Sequence, residues 1–290
     1  MLGKKFLLLS VVFCLCFSPA QVTADSKTAK ADLTAAQIVE KYAAARGGLQ
    51  AWRAVQTMSW TGKMDAGGGS NDPSRRVARG RMGRAGKTEM TDNKGAEMKG
   101  EANKQAQLPF MLEMKRPRKS RVEIEFAGKT AVQVYDGMNG WKLRPYLNRN
   151  DVEPFTAEEA KSEAGKGDLD GPLVDYAAKG TKVELEGVDP VEGHDAYKLK
   201  LTTKSGNVQH IWIDAQSFLD VKVEGVPRRM DGRMRNVWIY QRDFRSVQGL
   251  MIPFVLETAV EGYQETHKMI IEKVAVNPKL DDALFAKPGA

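Results

Sequence analysis

The chain has 290 residues, 42% of them hydrophobic, with a formal charge of +7, three histidines and two cysteines. Both cysteines, Cys14 and Cys16, lie in an N-terminal apolar leader. The chain that remains after its removal has none, which excludes disulfides, thiolate metal sites and cysteine nucleophiles together.

Lys4 and Lys5 precede an apolar run from Phe6 to Phe17, broken only by Ser10 and too short to span a bilayer. This reads as a secretion signal. Val22-Thr23-Ala24 places cleavage after Ala24, with Ser18-Pro19-Ala20 as the alternative site. Phe13 and Leu15 precede the cysteines where a lipoprotein signal needs a small residue, which argues against lipid attachment. No later apolar stretch reaches membrane-spanning length, so the expected location is a bacterial periplasm. Without Lys4 and Lys5 the mature chain retains +5 of the formal +7. That charge either draws the protein to an anionic membrane or headgroup, or serves solubility alone. Nucleic acid is not an expected partner of an exported protein.

Residues 25–32 read as a flexible mature N-terminus, and 33–290 as one domain. Thr34 is placed to cap a helix over 35–46, with Ile38, Val39 and Tyr42 as its apolar stripe and Gly47-Gly48 as its end. Leu49, Trp52 and Val55 share one face of a further helical turn. In the strand 56–65, Met58, Trp60 and Met64 fall on one side, with Gly62 between them. Residues 66–106 lose nearly all large apolar side chains and carry Arg75, Arg76, Arg79, Arg81, Arg84 and Lys87, so they read as a basic loop insertion. Strands are predicted near 108–115, 120–127, 130–136 and 140–146, with Asp136-Gly137 and Asn139-Gly140 as turns. A short helix capped by Thr156 follows over 154–164, then a loop over 165–180. Further strands are predicted near 181–187, 195–203, 207–214, 218–224, 234–245, 250–260 and 265–276, before a short C-terminal turn and tail. The sum is mainly β: about eleven antiparallel strands, with two or three short helices laid against one curved sheet or incomplete barrel.

Signatures of chemistry are weak. His194, His210 and His267 are far apart and lack metal-ligand spacing. Gly86-Lys87-Thr88 imitates the end of a phosphate loop, but position 81 is Arg where that loop needs Gly. Glu123 and Glu125 share a strand face opposite Val122, Ile124 and Phe126, which reads as a solvated face rather than an acid–base pair. Asp168 and Asp170 lack the further oxygen ligands of a calcium loop, and no Gly-x-Ser-x-Gly elbow occurs. The expectation is a non-enzyme without cofactor or metal. The apolar rows say more. Met58, Trp60, Met64, Phe110, Leu112, Met114, Val122, Ile124, Val132, Val134, Trp141 and Leu143 are read as inward-facing. They form either a dry core or the lining of a cavity.

Several segments together resemble the outer-membrane lipoprotein-sorting proteins of the LolA/LolB-like type. They are QIVEKYAAARGGLQAWRAVQTMSWTGKM, KRPRKSRVEIEFAGKTAVQVYDGMNGWKLRP, DGPLVDYAAKGTKVELEGVDPVEGHDAYKLKLTTKSGNVQHIWIDAQSFLDVKVE, and Val276-Asn277 with LFAKP. The likeness spans about 33–288 and leaves out the basic segment 66–106. It implies a half-open antiparallel β-barrel with an apolar cavity and a helical lid, formed here by the helices at 34–46 and 154–164. It also implies a periplasmic carrier of acylated lipoprotein or lipid, which meets membrane-associated donor and acceptor proteins and makes transient membrane contact. The implied lipid-binding residues are Met58, Trp60, Met64, Phe110, Leu112, Val122, Ile124, Val132, Val134, Trp141 and Leu143. Arg116, Arg118 and Arg121 are equal candidates for the arginine that holds the lid. The alternative use of the same fold is lipid sensing or protein interaction.

Overall fold

The computed structural model describes residues 33–66, 106–165 and 169–289. The leader, Asp168 and nearly all of the basic insertion lie outside them. Thirteen strands form one antiparallel sheet: β1 (Thr57–Asp65), β2 (Gln107–Lys115), β3 (Lys119–Phe126), β4 (Lys129–Tyr135), β5 (Gly140–Arg144), β6 (Arg149–Pro154), β7 (Lys182–Val188), β8 (Ala196–Thr202), β9 (Val208–Asp214), β10 (Asp220–Met230), β11 (Arg233–Val247), β12 (Leu250–Val260) and β13 (His267–Val276). Their order is β6-β5-β4-β3-β2-β1-β13-β12-β11-β10-β9-β8-β7. Two meanders therefore meet where the first strand pairs with the last. The sheet does not close, so β6 and β7 are its free edges and the fold is a half-open antiparallel barrel.

Two strand features depart from the sequence reading. β6 (RNDVEP) has no apolar alternation, because a charged edge strand pairs on one side only and its polarity discourages a further strand. β10 runs on through Pro227 to Met230, because the ladder shifts register between Gly225 and Arg228 and spares the proline a pairing position.

Helix α1 (Ala35–Ala45) opens with a capping box. Thr34 Oγ1 accepts from the Gln37 amide at 3.3 Å, and Gln37 Oε1 accepts from the Thr34 amide at 2.9 Å. Its stripe Ile38, Val39 and Tyr42 is buried. Gly47 then turns the chain with φ +108° into α2 (Leu49–Ala54), whose Trp52 is 1% exposed. A Cβ on Gly47 would sit 2.2 Å from the Gly249 carbonyl oxygen, so the helix end rests directly on the β11–β12 turn. The Met251 amide donates to the Arg46 carbonyl at 3.0 Å and ties the two together. Helix α3 (Ala157–Gly165) has Thr156 Oγ1 accepting from the Glu159 amide at 3.2 Å, the expected cap.

The close seat at Gly47 has a measurable cost when filled. Gly47→Ala should lower unfolding free energy by about 2–3 kcal/mol, because left-handed backbone and a backbone collision coincide there. Gly48→Ala, at φ +96° with no atom within 4 Å, should cost only about 1 kcal/mol. Urea melts of the two variants check the contrast, and equal losses would contradict the seating.

Candidate functional site

The cross-strand register decides which side chains share a face. Met58 pairs with Met114, Trp60 with Leu112, Gly62 with Phe110 and Met64 with Leu108. Phe110 pairs in turn with Ile124 and Leu112 with Val122. On the other side of β1, Trp60 pairs with Val274 and Met64 with Met269. Thus Met58, Trp60, Met64, Phe110, Leu112, Val122 and Ile124 form one continuous apolar wall. Both helical covers described below bond to side chains on this face, so we call it the inner face.

Val132, Val134, Trp141 and Leu143 are not part of that wall. Ile124 pairs with Ala131 and Val122 with Gln133, so the inner row crosses β4 at Ala131, Gln133 and Tyr135. Val132 and Val134 point to the outer face, paired with Leu143 and Trp141. There all four pack with Phe285, Leu280 and Leu284 of the C-terminal segment. The expectation of a single inward-facing set is corrected on this point. Val132 and Val134 alternate with Ala131, Gln133 and Tyr135, but only the register with β3 shows which of the two sets faces inward.

The inner face has two unlike halves. Under the N-terminal helices it is packed: Leu199, Leu201, Ile211, Ile213, Val237 and Ile252 are each at most 2% exposed. Of the wall side chains on β1–β3, Met58 and Phe110 are buried, whereas Trp60, Met64, Leu112, Val122 and Ile124 are half-buried. Gln133, beside Val122, is exposed. The Trp60 Nε1–H is itself enclosed and has no hydrogen-bond partner.

Three polar anchors hold the cover. At the first, Arg46 is 7% exposed; it donates through Nη1 to Tyr42 Oη and Asp220 Oδ1, both at 2.9 Å, and through Nε to the Met251 carbonyl at 2.8 Å. Its guanidinium lies 4.8 Å from the Trp52 ring centre, and Gln241 donates to the second Asp220 oxygen at 2.9 Å. Burial works against the Arg46 charge, but Tyr42 and Asp220 outweigh it and raise its pKa. Burial also pushes the Tyr42 hydroxyl up, so Arg46 stays charged and Tyr42 neutral at any physiological pH.

At the second anchor, Arg116 on the β2–β3 turn donates to the Val55 carbonyl at 2.8 Å, the Trp52 carbonyl at 3.3 Å and Asp170 Oδ2 at 2.6 Å. A cation here meets the negative end of α2 and a buried carboxylate together. Asp170 also accepts from Lys179 at 2.7 Å, which fixes the segment 169–180. Arg116, one of the three arginines weighed from sequence, thus bonds the helical cover. Arg121 instead bonds Glu123 and the Leu284 carbonyl on the outer face.

At the third, the inner-face side chain of Lys142, in a residue 5% exposed, binds both oxygens of Glu159 on α3 at 2.6 and 2.5 Å. Ser120 Oγ donates to Glu163 at 3.0 Å. Burial raises the Glu159 pKa, but bonds from Lys142 and the Thr156 amide prevail and hold it below the ordinary 4.5.

Two recesses bounded by described residues stand away from the wall's centre. One of about 450 Å³ opens at the end of the sheet beside Leu108, Pro109, Phe126 and Thr130. The other, about 90 Å³, lies beside Val191, His194 and Arg242. His194 bridges back to Val191 in a turn, and His210 Nδ1 lies 2.6 Å from Glu224 Oε2 on the outer face. No group of three or more His, Cys, Asp or Glu side chains among the described residues is placed to hold a metal ion.

No family model and no curated protein matches this sequence. Solved structures do. A LolA superfamily protein from Nitrosomonas europaea matches at TM-score 0.52 and 15% identity, over 88% of this chain and 98% of that one. A DUF1329 family protein from Desulfovibrio piger matches at 0.53 and 13%, over 87% and 97%. A protein from Vibrio parahaemolyticus assigned to outer membrane lipoprotein sorting matches at 0.50 and 11%, over 86% and 95%. The chain is an open antiparallel barrel with a helical cover. Its fold resembles that of these three proteins.

The anchors predict two outcomes. Arg116→Met should cost about 2 kcal/mol, with Lys179 still compensating Asp170. Amide exchange should speed up over 49–55 and 169–180 while the β8–β9 amides stay protected. Because the folded Glu159 pKa is lowered, its contribution is complete above the ordinary carboxyl value and lost as pH falls through the folded one. The protection factors of the α3 amides, corrected for intrinsic exchange, should therefore be flat from pH 7 to about 5 and fall as the pH drops below the ordinary carboxyl range.

Proposed function

We propose that the protein is a periplasmic carrier that takes up the acyl chains of a lipoprotein or lipid on its half-exposed inner wall and delivers them toward the outer membrane. One observation carries the reading. Beside a closely packed half, the same face presents Trp60, Leu112, Val122 and Ile124 only half-buried. An apolar wall left in that state favours an apolar occupant.

The energetics set the shape such a carrier needs. Each methylene brought from hydrocarbon into water costs about 0.8 kcal/mol, so a sixteen-carbon chain costs on the order of 12 kcal/mol to expose. A scattered surface contact cannot offset that, whereas a continuous wall under a cover offsets much of it. The unpartnered Trp60 Nε1–H suits an ester or amide carbonyl at the head of such a chain. Release requires the cover to compete with the cargo for the wall. The helices α1 and α2, held through Arg46 and Arg116, are the elements that move in this reading. Donor and acceptor proteins at the two membranes are its partners. It needs no cofactor and forms no covalent bond.

Native mass spectrometry of protein purified from the periplasm, followed by lipid extraction, tests it. Acyl lipid or lipoprotein should co-purify. Trp60→Glu and Ile124→Glu should each abolish retention, while Met138→Glu, at a position 82% exposed on the β4–β5 turn, should not. Absence of acyl cargo, or cargo retained by both wall variants, would overturn the reading.

A further inference from the structure

The β10–β11 hairpin outreaches its neighbours. β9 pairs with β10 no further than Val223–Ile211, and β12 pairs with β11 only from Val237–Val260 onward. The hairpin tip from 226 to 235 thus extends past the β9 side by roughly 15 Å, while on the other side the β12–β13 turn follows it through Glu261, which bonds Asn236. It closes through Asp231-Gly232, both at positive φ, the two-residue turn that suits strand twist. Tyr263 Oη donates to Asp231 at 2.5 Å and braces the tip.

Its composition is one-sided. Arg228, Arg229, Arg233 and Arg235 face a single acid, Asp231. Among the described residues none of the four arginines is ion-paired; Arg229 reaches only the Gly232 carbonyl, and Arg235 Nε is enclosed without a partner. Arg228 stands directly opposite Arg235 in the ladder. A like-charge pair in that position destabilises a hairpin, so its presence with no internal compensation points to an external anion. Interleaved with the cations, Val226 is 54% and Met234 55% exposed. The turns at the same end of the sheet add Phe126 at 42%, Leu147 at 51% and Val208 at 50%.

We propose that this end of the sheet, led by the β10–β11 hairpin, docks on the anionic surface of a membrane. Guanidinium groups pair with lipid phosphates, and Val226 and Met234 enter the headgroup layer. An acidic protein would answer the charge but would leave the apolar side chains spread over four turns without use. The proposal rests on the carrier reading for its purpose, since it would bring the open end of the wall to the bilayer, but not for its test.

The test is co-sedimentation of the exported protein with vesicles of phosphatidylcholine, with and without 30% phosphatidylglycerol. The protein should bind the anionic vesicles and not the neutral ones, and 0.5 M salt should release it. The triple variant Arg228→Ser, Arg229→Ser, Arg233→Ser, all at exposed positions, should weaken that binding by at least roughly tenfold with circular dichroism unchanged. Met234→Asp should weaken it severalfold. Failure of the wild type to bind anionic vesicles, or undiminished binding by the triple variant, overturns the proposal. The acyl content of the triple variant is read separately. A wild type that docks but carries no acyl lipid sinks the carrier reading and leaves the docking surface standing.

Discussion

The structure depends on a mismatch between one long apolar face and a small cover. A thirteen-stranded open sheet must shield that face from water, and three short helices with the segment 169–180 are what the described chain supplies. The cover is concentrated on β7–β12, where Ile213, Leu199 and Ile252 are fully buried. It leaves β1–β3 half-covered. An ordinary β-sandwich resolves the same problem by packing a second sheet on the first. Among the described residues there is no second sheet, and the half-covered wall is the feature on which a binding role turns.

The cover is attached by polar anchors as well as by apolar packing. A buried ion pair such as Arg46–Asp220 adds little net stability, because desolvation of both charges opposes their attraction. It does fix position. The Arg46 bonds need Tyr42, Asp220 and the Met251 carbonyl in one place, so the α1 register on the sheet is specified rather than merely favoured. Arg116 does the same for the end of α2 from the other meander. Such contacts hold the helical cover in one defined position on the sheet.

Much of this was legible in the sequence where local chemistry decides the outcome. Thr34, Gly47 and the stripe Ile38-Val39-Tyr42 marked α1, and the alternation of Met58, Trp60 and Met64 marked the inner face of β1. Legibility failed where long-range register decides. Val132 and Val134 form the more apolar face of β4 and so read as inward, but the pairing of Ile124 with Ala131 turns them outward. β6 is polar because it is an edge, so it carries no periodic signal. Arg46 could have been found, since it lies four residues beyond Tyr42 on the buried stripe of α1 and a charge there demands a partner. No local signal separated Arg116 from Arg121, because their roles are set by the distant Asp170 and Leu284 carbonyl.

The most direct test uses two of the five tryptophans, one on each face of the sheet. Trp60 lies on the inner wall beside Leu112, and Trp141 on the outer face beside Val134. Fluorescence quenching by a palmitoyl chain brominated near its methyl end should be strong in the wild type, nearly abolished in Trp60→Phe and unchanged in Trp141→Phe. Quenching that survives in Trp60→Phe and disappears in Trp141→Phe would place the hydrocarbon on the wrong face and contradict the account.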